Sequence, residues 1–373
     1  MKKIITFLLL LIGGYGFSQN IENTSEVKIR KAKRLAKKFL RKQHIPGMAI
    51  SISENGNLIW SEGFGYSSFK PRTEVIPNKT VFRIASISKS ITGVALAKMA
   101  EDNIIDLDKS IYYYLPDYPK KEYDFTVRQL AGNIAGIRHY KDNNEYALNE
   151  KMTINEGLSL FKNDSLLFKP GTKYHYSSLG FVLLSAIMQK ASNSYFNDYV
   201  TDNIFKPLKM YKSSMEFTNM TVSNQTKFYK LSSLRRIRLA NPVSNEYKVA
   251  GGGFLSTSED IVKFGNELIN PKILSEAAMA QVTTSQRLNN GYRTGYGMGL
   301  SVEKSINETP RLYHTGGGVG ASSILLVYPE EGIVISVLTN LTGVSMKAFG
   351  TALEAIFLEQ PAEQPAEQLV EQP

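Results

Sequence analysis

The chain predicts an α+β fold in which one sheet is completed by both ends of the sequence, with a helical lobe inserted between them. Three observations carry this. Hairpin signals stand near both termini, residues from about 88 to 245 carry mostly helical periodicity, and 373 residues exceed what one hydrophobic core usually covers. Two lobes follow: a sheet lobe over about 19–87 and 246–358, and a helical lobe over about 88–245.

The first element is a leader. Lys2 and Lys3 precede an apolar run from Ile4 to Ile12, and Gly16-Phe17-Ser18 gives a small-x-small cleavage pattern. A spanning helix needs about 20 apolar residues, more than this run supplies. Residues 1–18 therefore read as a signal peptide, and the expected location is periplasmic or secreted. The chain has no cysteine, which excludes attachment as a lipoprotein, disulfides and thiolate metal sites.

A basic helix comes next. Nine Lys or Arg residues lie between Lys28 and Lys42, and Ile29, Leu35, Ala36, Phe39 and Leu40 form an apolar stripe. The stripe should pack on the sheet while the cations face water, leaving room for a weak contact with an anionic surface. A second basic patch, Arg235-Arg236-Ile237-Arg238, reads as a surface loop. Formal net charge is +10, but neither patch has interleaved aromatics, so no nucleic-acid partner is expected.

Met48–Ser53 and Leu58–Tyr66 flank Glu54-Asn55-Gly56-Asn57, a hairpin signal. Near the other end, Ser322–Tyr328 and Ile333–Leu338 flank Pro329-Glu330-Glu331-Gly332. Strand-like segments at Gly297–Val302 and Arg311–Thr315 precede that second hairpin. A helix over roughly Val344–Leu358 should cover the sheet. From Glu359 onward, two Pro-Ala-Glu-Gln units and little apolar surface predict a disordered tail over 359–373.

Ser-x-x-Lys occurs five times, starting at Ser25, Ser67, Ser86, Ser159 and Ser301. Only Ser86 has the right surroundings. An extended run, Thr80-Val81-Phe82-Arg83-Ile84, leads into it, and a helical pattern with Ile87, Ile91, Val94, Leu96, Ala97 and Met99 follows. Ser86 thus falls at a helix N-terminus, whose amides and dipole favour a developing oxyanion. Lys89 lies one turn on, and a desolvated lysine there can act as base for the hydroxyl. Ser25 opens the basic helix, Ser67 runs into Pro71, Ser159 leads into Asn163-Asp164, and Ser301 lies in a strand.

Around Ser86 the chain resembles the class C β-lactamase-like and penicillin-binding-protein-like serine hydrolases over nearly all its mature length. The shared segments are Ile45-Pro46-Gly47-Met48-Ala49-Ile50, Phe82-Arg83-Ile84-Ala85-Ser86, Pro170-Gly171-Thr172-Lys173, Tyr176-Ser177 with Gly180, Ala250-Gly251-Gly252-Gly253-Phe254 and His314-Thr315-Gly316-Gly317-Gly318. Ala135-Gly136-Ile137-Arg138-His139-Tyr140 is similar to the mitochondrial β-lactamase-like proteins and their bacterial relatives. The resemblance implies a β-lactamase/transpeptidase-like fold, an antiparallel sheet flanked by helices beside an all-helical lobe, with the site in the cleft. It also implies a serine hydrolase acting through an acyl-enzyme on amide or ester bonds, with Ser86, Lys89 and Tyr176 catalytic. The alternative is a catalytically weak penicillin-binding-type protein that holds wall peptide or serves as a scaffold.

Two departures bear on the substrate. The family's Tyr-x-Asn element ends here in Ser178, and a hydroxyl cannot offer both amide donor and carbonyl acceptor. A literal Tyr195-Phe196-Asn197 lies a helix length too far on. His314 replaces the lysine of the third element. An unperturbed histidine is mostly neutral at pH 7, so carboxylate binding should strengthen as pH falls through its titration. Ser178, His314, Thr315, Gly316 and Gly317 are the expected substrate-binding residues, and the resemblance implies that the Gly317 and Ser86 amides form the oxyanion hole. The expected ligand is a small molecule or peptide, β-lactam or cell-wall peptide included. His44, His139, His175 and His314 show no metal-ligand spacing, His139 reads as a structural loop residue, and no cofactor or metal is expected.

Overall fold

The computed structural model describes residues 9–359 apart from Asn219, with side chains described from Ser25 onward. Residues 1–8 of the leader and 360–373 of the tail lie outside that range. The longest helices among the described residues are α1 (Leu9–Gln43), α2 (Ser88–Glu101), α3 (Ser178–Ser192), α4 (Ser258–Ile269) and α5 (Lys347–Leu358). The main sheet contains β1 (Gly47–Glu54), β2 (Asn57–Phe69), β3 (Arg72–Glu74), β4 (Ser301–Lys304), β5 (Pro310–Gly318), β6 (Ala321–Tyr328) and β7 (Ile333–Thr339).

The seven strands run in the order β3-β2-β1-β7-β6-β5-β4, every pairing antiparallel. Both chain ends complete one sheet, because β1 pairs with β7 from Met48↔Thr339 to Glu54↔Ile333. The first hairpin turns at Asn55 and Gly56, with φ of 50° and 80°. Two successive left-handed residues are what a type I′ turn requires, and Asn-Gly supplies them at low cost.

Side-chain alternation divides the core. On one face Met48, Ile50, Ile52, Ile324, Leu326, Ile335 and Val337 pack with Ala32 and Ala36 of α1 and with Phe349, Leu353 and Phe357 of α5. Phe39 stacks on Phe349 with ring centroids 4.1 Å apart. The apolar stripe of the basic helix does pack on the sheet side. On the other face Ala49, Leu325, Val327, Val334 and Leu338 join α2, α3 and α4 in a second cluster, which continues into the inserted lobe through Phe196 and Phe205.

The insert is less helical than its periodicity predicts. Besides α2 and α3 it holds short helices such as Val127–Ala131 and Ile154–Gly157, and a hairpin of Tyr229–Leu231 and Ile237–Leu239. Thr126 and Thr153 both close capping boxes, which start these helices but do not lengthen them. Ser214–Met215 leaves the insert to pair with Phe254–Ser256, which also pairs Phe82–Arg83.

That small sheet is locked by charge. Arg83 and Glu216, both buried, form a two-pronged ion pair at 2.7 Å. Arg83 also donates to the Val319 carbonyl at 2.6 Å, and Asn245 Nδ2 donates to Glu216 at 2.6 Å. A planar guanidinium suits such fixed multiple recognition. It ties the strand before Ser86 to the turn after Gly318.

Candidate active site

Ser86 sits in a one-turn helix, Ala85–Ile87, that runs straight into α2. Ala85 holds φ at 47°, a left-handed conformation that costs an L-residue on the order of 1 kcal/mol or more. Its neighbours enforce it. A Cβ at Gly316 would fall 2.5 Å from the Ile84 carbonyl and 3.2 Å from the Ala85 methyl, so β5 reaches the turn only because glycine stands there. Ser86 is left half-buried with its hydroxyl at the cleft.

Lys89, one turn on, has no exposed surface. Its Nζ lies 3.2 Å from Ser86 Oγ and 2.9 Å from Ser178 Oγ, and it donates to the Gly251 carbonyl. The rings of Tyr176 and Phe181 stand 4.9 and 5.5 Å away. No carboxylate pairs with it among the described residues. Burial without a counter-charge pushes its pKa well below the usual lysine range. An amine depressed in this way gives up its own proton more readily than an ordinary lysine and can then accept one.

Tyr176 is placed by the start of α3. Ser177 caps that helix, accepting from Gly180 N–H at 2.9 Å and donating to the Arg138 carbonyl at 2.6 Å. Asn133, left-handed at φ 59°, accepts from Ser177 N–H through Oδ1 at 3.0 Å and from His175 N–H through its carbonyl at 2.9 Å. The phenol therefore projects toward Ser86 and Lys89. Burial raises its pKa to about 12, against the pull of the Ser86 and Ser178 hydroxyls. It is a proton donor in the resting site.

The remaining groups form a neutral collar. His139 Nδ1 accepts from Ser178 N–H at 3.0 Å, and its ring packs edge-on against Tyr176 at 5.5 Å. Burial and the nearby Lys89 charge lower its pKa to about 4. His314 is buried on β5, with Nδ1 2.6 Å from the Thr315 carbonyl and Nε2 3.2 Å from the Tyr296 hydroxyl. That pairing assigns the proton to Nδ1 and makes Nε2 the acceptor. Burial, then Lys89, lowers the His314 pKa to about 3.

The structure brings Ser86, Lys89, Tyr176, Ser178 and His314 together. Thr315 is half-buried and Gly317 is exposed, with open space where its Cβ would be, whereas Gly316 is packed beneath them. The expected titration of His314 near neutrality is corrected: its imidazole is buried, tied to Tyr296, and neutral throughout the ordinary working range of pH. Tyr195 is 77% exposed and lines a separate cavity of about 420 Å³ with Asn197 and Met215, so the literal Tyr-x-Asn string is not part of the cleft. Ser67 sits in β2, Ser159 in a surface turn and Ser301 in β4, each apart from the Lys89 cluster.

Sequence reasoning missed Tyr296, whose hydroxyl holds His314 and whose ring meets Tyr176 edge-on at 6.2 Å. The signal for it was its setting, Gly295-Tyr296-Gly297, where small neighbours admit close backbone packing. It also missed Lys248, a second buried lysine. Lys248 Nζ donates to the Tyr146 carbonyl at 2.7 Å among the rings of Tyr140, Tyr146 and Tyr247. Burial, then Arg83, lowers its pKa to about 7. Among the described residues no group of three or more His, Cys, Asp or Glu could hold a metal ion.

Comparison with known proteins gives the family and the fold. The Beta-lactamase family profile matches residues 32–357. The human serine beta-lactamase-like protein LACTB, mitochondrial, is 32% identical, with 83% of this chain and 75% of the relative covered. The octameric penicillin-binding protein homologue from Pyrococcus abyssi superposes with a TM-score of 0.78 at 24% identity, covering 88% of this chain and 77% of the other. The D-amino acid amidase from Ochrobactrum anthropi SV3 gives 0.73 at 20% identity, covering 88% and 97%. These two structures share the fold.

Proposed function

The chain belongs to the beta-lactamase family, and we propose that within it the protein is an exported serine hydrolase working through an acyl-enzyme on amide or ester bonds. One observation carries the reading: a fully buried lysine with no carboxylate partner lies 3.2 Å from the hydroxyl of Ser86. Ser86 Oγ attacks the carbonyl carbon while Lys89 takes its proton. The Ser86 and Gly317 amides receive the oxyanion, and each such donor is worth about 2.7–4 kcal/mol. Tyr176, protonated at rest, passes a proton to the leaving group and is resupplied through Lys89. Water then enters by the reverse proton path and releases the acid.

Small esters and amides without a carboxylate, D-amino-acid amides included, are the favoured substrates. Ser178 bonds to Lys89 rather than offering an amide to the substrate, and His314 is neutral and inward. A β-lactam or wall peptide carrying a carboxylate gains no fixed cation from the third element. Export rests on the leader at residues 1–18, and the mature chain should begin at Gln19.

The test is a fluorophosphonate or fluorescent penicillin probe with peptide mass mapping. The expected adduct lies on the peptide holding Ser86 and disappears in Ser86→Ala. Labelling that persists in that variant would overturn the mechanism, and absence of any turnover on esters, amides and β-lactams would favour the binding-module alternative. Fractionation with N-terminal sequencing tests the export half separately.

A further inference from the structure

The two basic clusters of this chain lie nearly 200 residues apart in sequence, yet the segments that carry them pack against the same hydrophobic core. Leu231 and Ile237 of the hairpin Tyr229–Leu239 pack on the core beneath α1, the one containing Ala32 and Ala36. The hairpin is rooted by Tyr229, whose N–H donates to the Asn340 carbonyl and whose hydroxyl accepts from Phe69 N–H at 3.0 Å. Residues 227–238 carry Lys227, Lys230, Arg235, Arg236 and Arg238, with no acidic residue among them. None of the five forms an ion pair among the described residues.

Apolar side chains stand out among these cations. Leu234 at the tip is 74% exposed and Leu239 is 64% exposed. With Phe69, Lys70, Lys227 and Arg238, Leu239 lines an open cleft of about 600 Å³ between the hairpin and the end of β2. On α1, Arg30, Arg34, Lys37, Lys38 and Arg41 are exposed and without a carboxylate partner among the described residues. Their spacing puts all five on one helix face about 17 Å long, opposite the buried alanines.

We propose that this hairpin and the outer face of α1 form a docking surface for an anionic phospholipid bilayer. The cations match the charge of the lipid headgroups, and Leu234 and Leu239 enter the boundary between headgroup and acyl chain. The exposed leucines favour a bilayer over a soluble polyanion, which offers charge but no hydrocarbon. Such a surface would hold the hydrolase beside membrane-associated substrate without occupying the cleft.

Full-length protein should be partitioned onto vesicles of phosphatidylcholine alone and of phosphatidylcholine mixed with phosphatidylglycerol. The readout is the ratio of anionic to neutral partition, which removes any contribution of the apolar leader. We expect a ratio above about ten in low salt that falls as salt screens the charges. Arg235→Glu/Arg236→Glu should bring the ratio down to near one, since each cation is worth about fivefold near such a surface. Lys37→Glu/Lys38→Glu should act in the same direction, and Leu234→Ser should weaken anionic binding several-fold. Unchanged melting temperatures would show that the variants fold. A wild-type ratio near one, or charge reversal without effect, overturns the proposal. So does full competition by soluble polyphosphate together with an unaffected Leu234→Ser, which would mean polyanion binding instead.

Discussion

Lys89 and Lys248 are both buried, both lack a carboxylate partner among the described residues and both lie among aromatic rings, yet only one sits beside chemistry. Lys89 faces two hydroxyls, those of Ser86 and Ser178, besides the Gly251 carbonyl, whereas Lys248 bonds to the Tyr146 carbonyl and to no hydroxyl. Desolvation depresses both amines. A depressed pKa therefore marks a group that can be neutral, and the neighbour decides whether neutrality has a use. Beside Lys89 there is a proton to remove. Beside Lys248 there is only an acceptor.

The sharpest way to break this contrast is to remove each amine. Lys89→Met should lower the rate of acylation by about 10²–10⁴-fold, the range for loss of a positioned base. Lys248→Met should leave kcat/KM within a few-fold and raise the melting temperature, because a buried amine without a counter-charge is replaced by an apolar chain. Equal losses in the two variants, measured by stopped-flow acylation, would end the distinction.

A third buried cation sharpens it from the other side. Arg83 is paired with Glu216 in a buried two-pronged contact, so Glu216→Gln should destabilise the protein by about 3–5 kcal/mol in chemical denaturation, the usual cost of orphaning one member of a buried pair. Loss of a few tenths instead would show that water reaches the guanidinium.

Tyrosines offer the next comparison. Tyr176→Phe should slow turnover by about 10–100-fold with little change in stability, whereas Tyr195→Phe should change neither. The reverse outcome would move the second element to the literal Tyr-x-Asn string.

The smallest effect is a pH dependence. Activity should rise with pH as Lys89 loses its proton, with no added step from His314 near neutrality, as the kcat/KM profile will read. The histidines act on stability instead. His139 and His314 titrate near 6.5 when unfolded but near 4 and 3 when folded, so the unfolded chain binds more protons between those limits. Stability contributed by the two is complete above about pH 6.5 and is lost progressively as pH falls toward 4 and 3. Near pH 5 unfolding should take up about two more protons by calorimetry in buffers of different ionisation enthalpy, and His314→Gln should reduce that to about one.

Much of the fold was legible in local pattern. Asn55-Gly56 demands left-handed backbone, so the first hairpin could be read from two residues. The pairing of β1 with β7 joins segments nearly 300 residues apart, yet the hairpins at both ends implied it. The insert is less legible, because four- and five-residue helices are held by tertiary contacts rather than by their own periodicity. Ser86 was separable from four other Ser-x-x-Lys strings by its flanking extended run and helix, and Tyr176 by its distance from Pro170-Gly171.

What the sequence determined by itself was the order of elements and the identity of groups able to do chemistry, since capping, turn chemistry and hydrophobic period act over a few residues. Only the tertiary structure decided which of those groups are charged. His314 alternates with Thr315 along β5, but which of the two faces water depends on what packs against the strand, and Tyr296 packs there. Lys89 and Lys248 are equally ordinary as letters, and folding alone buries one against two hydroxyls and a carbonyl and the other against a carbonyl only. Ionisation follows desolvation and close neighbours, and both are properties of the packed chain rather than of any residue within it.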